Sequence, residues 1–303
     1  MDPLVIAFGF GVGILIGLTG IGGGSLMTPL LVIFAGINPT VAVGTDLAYG
    51  AITKTLGGWR HLRKGTVDLG VSKWMAFGSV PGSIVGVILL DRLSISNDTL
   101  LYAVGGALIV VSAAVLLRAL FFSGLDARER ATVPLAARTK LTAVSIGAVL
   151  GLVLGLTSVG SGALIGPALI LVFRLTPRRV VGTDVFHAAI LLWAAGTAHW
   201  ISGNVDFGLM GTILIGSLPG VLIGTYLVDR VPTGALRPAL GCVLVGSALG
   251  VFRKAGLDVP VGAIVGVPLG IGVAALVLHR VRGEPMTAPV TEVAATSSEA
   301  APA

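Results

Sequence analysis

Charged residues are scarce in this chain of 303 residues. Asp, Glu, Lys and Arg make up 11% of it, whereas hydrophobic residues make up 54%. A soluble domain carries about 25% charged residues, so the composition excludes a protein whose surface faces mainly water. The mean hydropathy is +0.99, and the apolar residues fall in long runs. We therefore predict an all-α integral membrane protein, with the lipid bilayer as its surroundings.

Cysteine is nearly absent, and clusters of metal-binding or catalytic residues are lacking. The single Cys242 excludes an intrachain disulfide. We find no grouped His, Asp or Glu and no nucleophile placed beside a base. We therefore predict no metal, no cofactor and no catalytic residue, and we do not expect an enzyme. The N-terminus lacks the basic region of a cleavable signal peptide, which predicts that the first apolar run is retained.

The formal net charge of +6 would by itself fit a nucleic-acid-binding protein. The lysines and arginines lie, however, in short segments between the apolar runs. That distribution is the signal that orients membrane proteins. We therefore expect no nucleic-acid partner.

A sequence repeat covers much of the chain. Between residues 17 and 92, residue i matches residue i+138 without a gap, so that Gly44-Thr45-Asp46 returns as Gly182-Thr183-Asp184. Shared apolar composition would align Leu with Leu, but it would not align Asp, His, Pro and Arg. The offset therefore indicates two homologous halves. Further matches are His61 with His199, Asp68 with Asp206, Ser79 with Ser217, and Pro81 with Pro219.

The first apolar run of each half is too long for one ordinary crossing. A spanning helix needs about 20 residues, yet the runs 4–36 and 141–173 are longer and are interrupted by glycine-rich breaks, at 20–24 and 160–162. Each run either crosses once, long and tilted, or turns back as a broken hairpin. The other runs suit one crossing each: 41–58, 72–90, 100–117, 180–198, 208–228, 236–252 and 259–278.

The positive charges favour the hairpin. If both first runs turn back, sixteen of the nineteen Lys and Arg residues other than Lys54 fall on one side, and only Arg92, Arg253 and Lys254 on the other. With single crossings the division is eleven to eight. Since the excess of Lys and Arg marks the cytoplasm, we predict the N-terminus outside and the C-terminus in the cytoplasm. The count of passes then inverts the second half relative to the first, an arrangement typical of secondary transporters.

These patterns divide the chain into five parts. Residues 1–117 form the first membrane repeat, 118–140 a charged cytoplasmic linker, and 141–252 the second membrane repeat. Residues 253–282 add one extra C-terminal transmembrane helix. Residues 283–303, rich in Ala, Thr, Ser, Glu and Pro, are predicted to form a disordered tail.

The sequence around the first break resembles the sulfite exporter TauE/SafE family of membrane permeases. The matching residues are Gly20-Ile21-Gly22-Gly23-Gly24, Pro29 five positions on, and Val43-Gly44-Thr45 in the next helix. The resemblance covers roughly residues 4–280. It implies a permease for sulfite, sulfonates or other small organic anions in the plasma membrane.

The glycine breaks are the predicted substrate site. Backbone that leaves a helix at membrane depth frees N–H and C=O groups, and helix N-termini direct partial positive charge at an anion. We expect the two breaks to meet near the bilayer centre. The alternative is that the glycines only permit close helix packing. The predicted substrate-binding residues are Gly22, Gly23, Gly24, Ser25, Thr45, Gly160, Ser161, Gly162, Thr183 and Lys54, and Thr19, Thr157 and Ser158 are further hydroxyl donors.

Lys54 is the basic residue that lies well inside an apolar run. It either neutralises an anion in the cavity or extends toward the cytoplasmic surface. Its counterpart in the second half is Leu192, so a role in binding would be asymmetric.

Three buried titratable residues are candidates for coupling transport to protons: Asp46, Asp184 and His187. Carboxylates inside membranes are costly and are functional by default. The alternative is that each aspartate caps its own helix, since both are predicted in first turns. For His187 the alternative is a packed, hydrogen-bonded core histidine. His61 and His199 are predicted at membrane interfaces.

We thus expect a secondary permease that moves a small anionic substrate. A passive anion channel of the same architecture is the alternative, and a membrane-embedded enzyme is less favoured because its residues are lacking. Assembly as a homo-oligomer is left open by the sequence.

Overall fold

The computed structural model describes residues 2–19, 23–93, 95–121, 132–227 and 233–282. These residues form eleven α-helices. The first half contains α1 (Pro3–Thr19), α2 (Gly24–Ile33), α3 (Pro39–Arg63), α4 (Leu69–Arg92) and α5 (Asn97–Phe121). The second half contains α6 (Ala137–Thr157), α7 (Ile165–Leu171), α8 (Pro177–Ile201), α9 (Phe207–Leu227) and α10 (Thr233–Lys254), and α11 (Val261–Arg282) follows.

The architecture confirms the all-α part of the predicted fold class. Within the described residues, five helices are long and apolar enough to cross a membrane: α4, residues 97–117 of α5, α6, α8 and α9. Shorter apolar helices are α1, α2 and residues 261–275 of α11. Part of the predicted linker (122–131) and the whole predicted tail (283–303) lie outside the described residues.

The first apolar run is divided and turns back, as the charge pattern predicted. It forms α1 and α2 on either side of the glycines. The ring of Phe34, just after α2, lies 5.8 Å from the ring of Phe8 near the start of α1. At the other end, a Cβ atom built on Gly23 would lie 2.8 Å from Cδ1 of Ile16. Both contacts require α2 to run back along α1, because in a continuous helix Phe8 and Phe34 would be about seven turns apart and Ile16 and Gly23 about two.

Glycines spaced four residues apart lie where helices of the two halves pack together. α1 packs mainly against α9, and α4 against α6. A Cβ atom on Gly9 would lie 2.6 Å from the carbonyl oxygen of Ile213, and one on its equivalent Gly147 would collide with that of Met75. The same pairing recurs one turn on, at Gly13 with Ser217 and at Gly151 with Ser79. These glycines therefore permit backbone-to-backbone packing of the paired helices.

The repeat-equivalent helices α3 and α8 pack together at the centre. A Cβ atom on Gly50 would lie 3.2 Å from Cδ1 of Leu192, and one on Gly57 would lie 3.0 Å from Cγ1 of Val185. Because numbers rise along one helix as they fall along the other, the two helices are antiparallel. Both are largely buried, and they carry most of the polar side chains discussed below.

Candidate functional site

Asp46 links the two broken segments. Its Oδ2 atom accepts a hydrogen bond of 2.8 Å from the hydroxyl of Thr28 in α2, and one of 2.7 Å from the hydroxyl of Ser158 at the end of α6. Asp46 is 1% exposed. A Cβ atom on Gly24 would lie 2.9 Å from the Ser158 hydroxyl oxygen and 3.1 Å from Asp46 Oδ2. The two breaks therefore meet, as predicted, and the carboxylate of Asp46 lies at their junction. We call Thr28, Asp46 and Ser158 the Asp46 cluster.

Ser158 adopts a backbone conformation that favours glycine. It is the C-cap of α6, with φ 59° and ψ −4°. In this left-handed region a side chain is disfavoured, and glycine is the usual residue. The equivalent residue of the first half is Gly20. The serine is therefore kept at a strained position where its hydroxyl reaches Asp46.

The capping role considered for the aspartates is wrong. The N-cap of α3 is Asn38, whose side chain accepts from the backbone N–H of Thr40, and Pro39 opens the helix. Asp46 is thus two turns inside α3, and Asp184 has the same place in α8, which begins at Pro177. Since free backbone N–H groups occur only in the first turn, neither carboxylate can serve as a cap.

Lys54 lies buried on the face of α3 that contacts α8. It is 7% exposed, and no described acceptor lies within hydrogen-bond distance of its Nζ atom. The acidic residue that acts electrostatically on this ammonium is Asp184 of α8. The alternative in which Lys54 extends to the cytoplasmic surface does not agree with this burial. We call Lys54, Asp184 and His187 the Lys54 cluster.

His187 and Tyr49 occupy equivalent positions in the repeat, and each faces an equivalent serine. His187 Nε2 is hydrogen-bonded to the hydroxyl of Ser79 at 3.2 Å. The hydroxyl of Tyr49 faces that of Ser217, although neither group is within hydrogen-bond distance of a described partner. The ring of Tyr49 also lies against Gly23.

The sequence did not single out Tyr49 or Thr28. For Tyr49 there was a signal, because serine occurs at both equivalent positions, Ser79 and Ser217. A serine buried in an apolar helix needs a hydrogen-bonding partner. Thr28 gave no such signal, since its equivalent is Gly166.

Thr45 and Thr183 connect the two halves. Thr45 Oγ1 accepts from the backbone N–H of Asp206 at 3.0 Å, and Thr183 Oγ1 accepts from that of Asp68 at 2.8 Å. Both threonines are fully buried. These bonds fix the starts of α4 and α9 against α8 and α3. Contact of the two hydroxyls with a substrate stays a prediction.

The remaining predicted residues surround the breaks. Ser25 is buried, its hydroxyl has no described partner, and it lines a small, mostly apolar cavity between the first break and α10. Gly160, Ser161 and Gly162 form the turns between α6 and α7, where both glycines have positive φ. Gly22 lies outside the described residues.

One prediction outside the site is wrong. His199 was predicted at an interface, but it is fully buried, and its Nε2 is hydrogen-bonded to the Gly155 carbonyl oxygen at 2.9 Å. α3 also packs against this histidine, since a Cβ atom on Gly44 would lie 3.1 Å from the His199 Cβ atom.

The interior therefore offers polar groups that the fold leaves unsatisfied. Buried polar atoms in proteins are nearly always hydrogen-bonded. Here the described interior contains buried donors without a partner at Ser25, Tyr49, Lys54 and Ser217. Such groups can bind a polar ligand that has several acceptor oxygens. No group of three or more His, Cys, Asp or Glu able to hold a metal occurs among the described residues.

Comparison with known proteins places the chain. The model of the family described as "Sulfite exporter TauE/SafE" matches residues 5–251. The chain belongs to this family. Two relatives come from Bacillus subtilis (strain 168). "Probable membrane transporter protein YjnA" is 37% identical over 253 residues, which is 82% of this chain and 99% of that protein. "Probable membrane transporter protein YdhB" is 28% identical over 238 residues, 78% and 94% of the two chains.

The TauE/SafE match contains both the Asp46 cluster and the Lys54 cluster, whereas α11 lies beyond it. No solved structure matches this chain at a significant level. Membership of the family, together with the apolar helices, identifies a multi-pass membrane protein.

Proposed function

We propose that this protein is a secondary transporter that moves a small anion, such as sulfite, a sulfonate or another small organic oxyanion, across the plasma membrane. The observation that carries the proposal is the ammonium of Lys54, which is buried and has no acceptor within hydrogen-bond distance among the described residues. Removing a charge from water without a hydrogen-bonding partner costs several kcal/mol. A fold keeps such a group when a ligand of opposite charge completes it.

The breaks supply the other requirements of an anion site. α2 starts at Gly24 without a side chain that caps it, so the backbone donors of its first turn and the dipole of the helix favour negative charge. Ser25 and Tyr49 add hydroxyl donors close to that helix start. A sulfonate or sulfite group carries three oxygens in a compact tetrahedral or pyramidal shape. It can therefore accept hydrogen bonds from more than one of these donors at once.

Inverted topology is part of the proposal. It is supported by the antiparallel packing of the equivalent helices α3 and α8, by the turn-back of α1 and α2, and by the charge distribution. In this arrangement the N-terminus lies outside and the C-terminus in the cytoplasm. Two inverted halves that meet at broken helices give a site which each half can uncover in turn. This favours a carrier over a channel.

The test is anion flux through purified protein in liposomes. Radiolabelled sulfite and methanesulfonate should accumulate against their own gradient when a counter-gradient is imposed. Gly24→Ala should abolish the flux, because its Cβ atom would collide with the Ser158 carbonyl at the junction of the breaks. Gly11→Ala is the matched control, because a Cβ atom there meets nothing within 4 Å.

Flux that only dissipates gradients would indicate the channel. Equal flux in the Gly24→Ala and Gly11→Ala variants would show that the breaks serve packing alone. Absence of flux for every small oxyanion tested, with correctly folded protein, would contradict the proposed function.

A further inference from the structure

Lys54 faces α8 within a defined stretch. It lies one turn after Gly50, which packs on Leu192, and one turn before Gly57, which packs on Val185. The ammonium therefore lies opposite the stretch of α8 between these two residues. His187 lies inside that stretch, and Asp184 immediately precedes it, next to Val185. Both are buried.

The two repeat-equivalent aspartates have different surroundings. Asp46 is held by the hydroxyls of Thr28 and Ser158. The repeat equivalents of Thr28 and Ser158 are Gly166 and Gly20, and neither residue has a hydroxyl. Conversely, Asp184 has the cation of Lys54, from the first half, in its surroundings, whereas the repeat equivalent of Lys54 is the uncharged Leu192. The surroundings of Asp184 thus include a cation from the other half.

The other charged groups near this end of α8 are already engaged with backbone. Asp68, at the start of α4, accepts from the backbone N–H groups of Val71 and Val133. Arg179 donates to the carbonyl oxygen of Val67 at 2.9 Å. From α4, Ser79 faces His187. His61, near the end of α3, is hydrogen-bonded to the hydroxyl of Thr66. Lys54, Asp184 and His187 are the buried titratable groups at this contact of α3 with α8 from which we start.

We infer that Asp184 is the internal counter-ion of Lys54, and that a transported anion replaces it there while Asp184 takes up one proton. This inference rests on the proposed function. The Asp184 carboxylate and a substrate anion are like charges, and a single buried ammonium cannot neutralise both. The step balances: an anion and a proton enter, the carboxylate becomes a carboxylic acid, and the total charge of the cluster is unchanged. Each monovalent anion then moves with one proton.

The experiment measures equilibrium binding of radiolabelled methanesulfonate to purified full-length protein at several pH values. Methanesulfonate stays a monoanion throughout, so any pH dependence belongs to the protein. In wild type, uptake of one proton per anion should weaken binding by about tenfold per pH unit at the alkaline end. Asp184→Asn should bind at every pH at least as tightly as wild type does at acidic pH. Lys54→Leu, which copies the residue of the other half, should lose binding.

His187→Gln tests the other titratable group of α8 near Lys54. If Asp184 takes up the proton, binding by this variant should still change by about tenfold per pH unit. Thermal unfolding checks the charge pair independently. Lys54→Leu and Asp184→Asn should each lower the melting temperature, and the double variant should recover part of the loss.

The outcomes separate the two proposals. If wild type and every variant fail to bind sulfite or methanesulfonate, the proposed function fails. If wild type binds but Asp184→Asn keeps the pH dependence or binds more weakly, the counter-ion inference is overturned and anion transport stands. Loss of pH dependence in His187→Gln would overturn it as well.

Discussion

At the scale of single residues, Ser158 shows a local cost kept for a tertiary contact. A non-glycine residue in the left-handed region costs about 1 kcal/mol. Its hydroxyl donates to the buried Asp46, and hydrogen bonds to charged groups contribute about 1.5–3 kcal/mol. The second term is larger than the first, so serine is stable at this position although its equivalent in the other half is glycine.

Substitution of Ser158 separates these two terms. Ser158→Gly relieves the strain and loses the hydrogen bond, whereas Ser158→Ala keeps the strain and loses the same bond. Ser158→Ala should therefore lower the free energy of unfolding by about 1 kcal/mol more than Ser158→Gly does. Thermal or denaturant unfolding in detergent measures the difference, and anion flux should fall in both. An alanine variant as stable as the glycine variant would show that the backbone strain is negligible.

The residue scale is also where prediction from sequence reached its limit. Lys54 and Asp184 were singled out separately, because a charge inside an apolar run is conspicuous, but nothing in the sequence pairs them. Their proximity depends on how α3 lies against α8. Thr28 was not found for the same reason: a buried threonine in an apolar run is ordinary until its tertiary partner, here Asp46, is known.

At the scale of helices, glycine fixes how closely the halves approach. A Cβ atom on Gly151 would meet the backbone of Ser79, including Cα at 2.6 Å. Since α6 cannot move away without disturbing the whole α4 interface, we expect Gly151→Ala to destabilise the protein by about 1–3 kcal/mol. The matched control is Gly106→Ala in α5, where a Cβ atom meets nothing within 4 Å.

The control should change stability in the opposite direction. Alanine in a helix interior is favoured over glycine by about 0.5–1 kcal/mol, so Gly106→Ala should raise the melting temperature while Gly151→Ala lowers it. Both are measured by thermal unfolding of the purified protein in detergent. Equal effects of the two substitutions would mean that the α4–α6 interface relaxes without cost.

The elements themselves were largely predictable. The glycine breaks and the charge count together predicted the turn-back of the first run. Three adjacent glycines disfavour a continuous helix, because glycine is a poor helix former. The starts of α3 and α8 were placed too late, since the apolar pattern begins after Pro39 and Pro177. Pro at the first position of a helix, after Asn38 or Thr176, is itself a start signal. Helix starts predicted at Pro39 and Pro177 would have placed Asp46 and Asp184 two turns inside α3 and α8.

At the scale of the whole molecule, the repeat explains the pairing of helices. If an operation exchanges the two halves, the contact of α1 with α9 implies that of α6 with α4, and both are observed. The equivalent helices α3 and α8 then contact each other across the axis of exchange. The sequence repeat predicted equivalence but not this swapped pairing, which follows only once the glycine faces of α1 and α9 are known to meet.

Inversion of the halves makes a direct prediction for labelling. Lys64 follows α3, and Ser202, its equivalent at i+138, follows α8. Because α3 and α8 are antiparallel, these two loops leave opposite ends of the central pair.

In a Cys242→Ala background, which removes the native thiol, Lys64→Cys should react with a membrane-impermeant maleimide only from the cytoplasmic side. Ser202→Cys should react only from outside. Ser96→Cys and Ala136→Cys serve as controls for the outer and the cytoplasmic side. Labelling of Lys64→Cys and Ser202→Cys from one side would contradict the inverted topology, and with it a carrier whose two halves open the Lys54 cluster in turn.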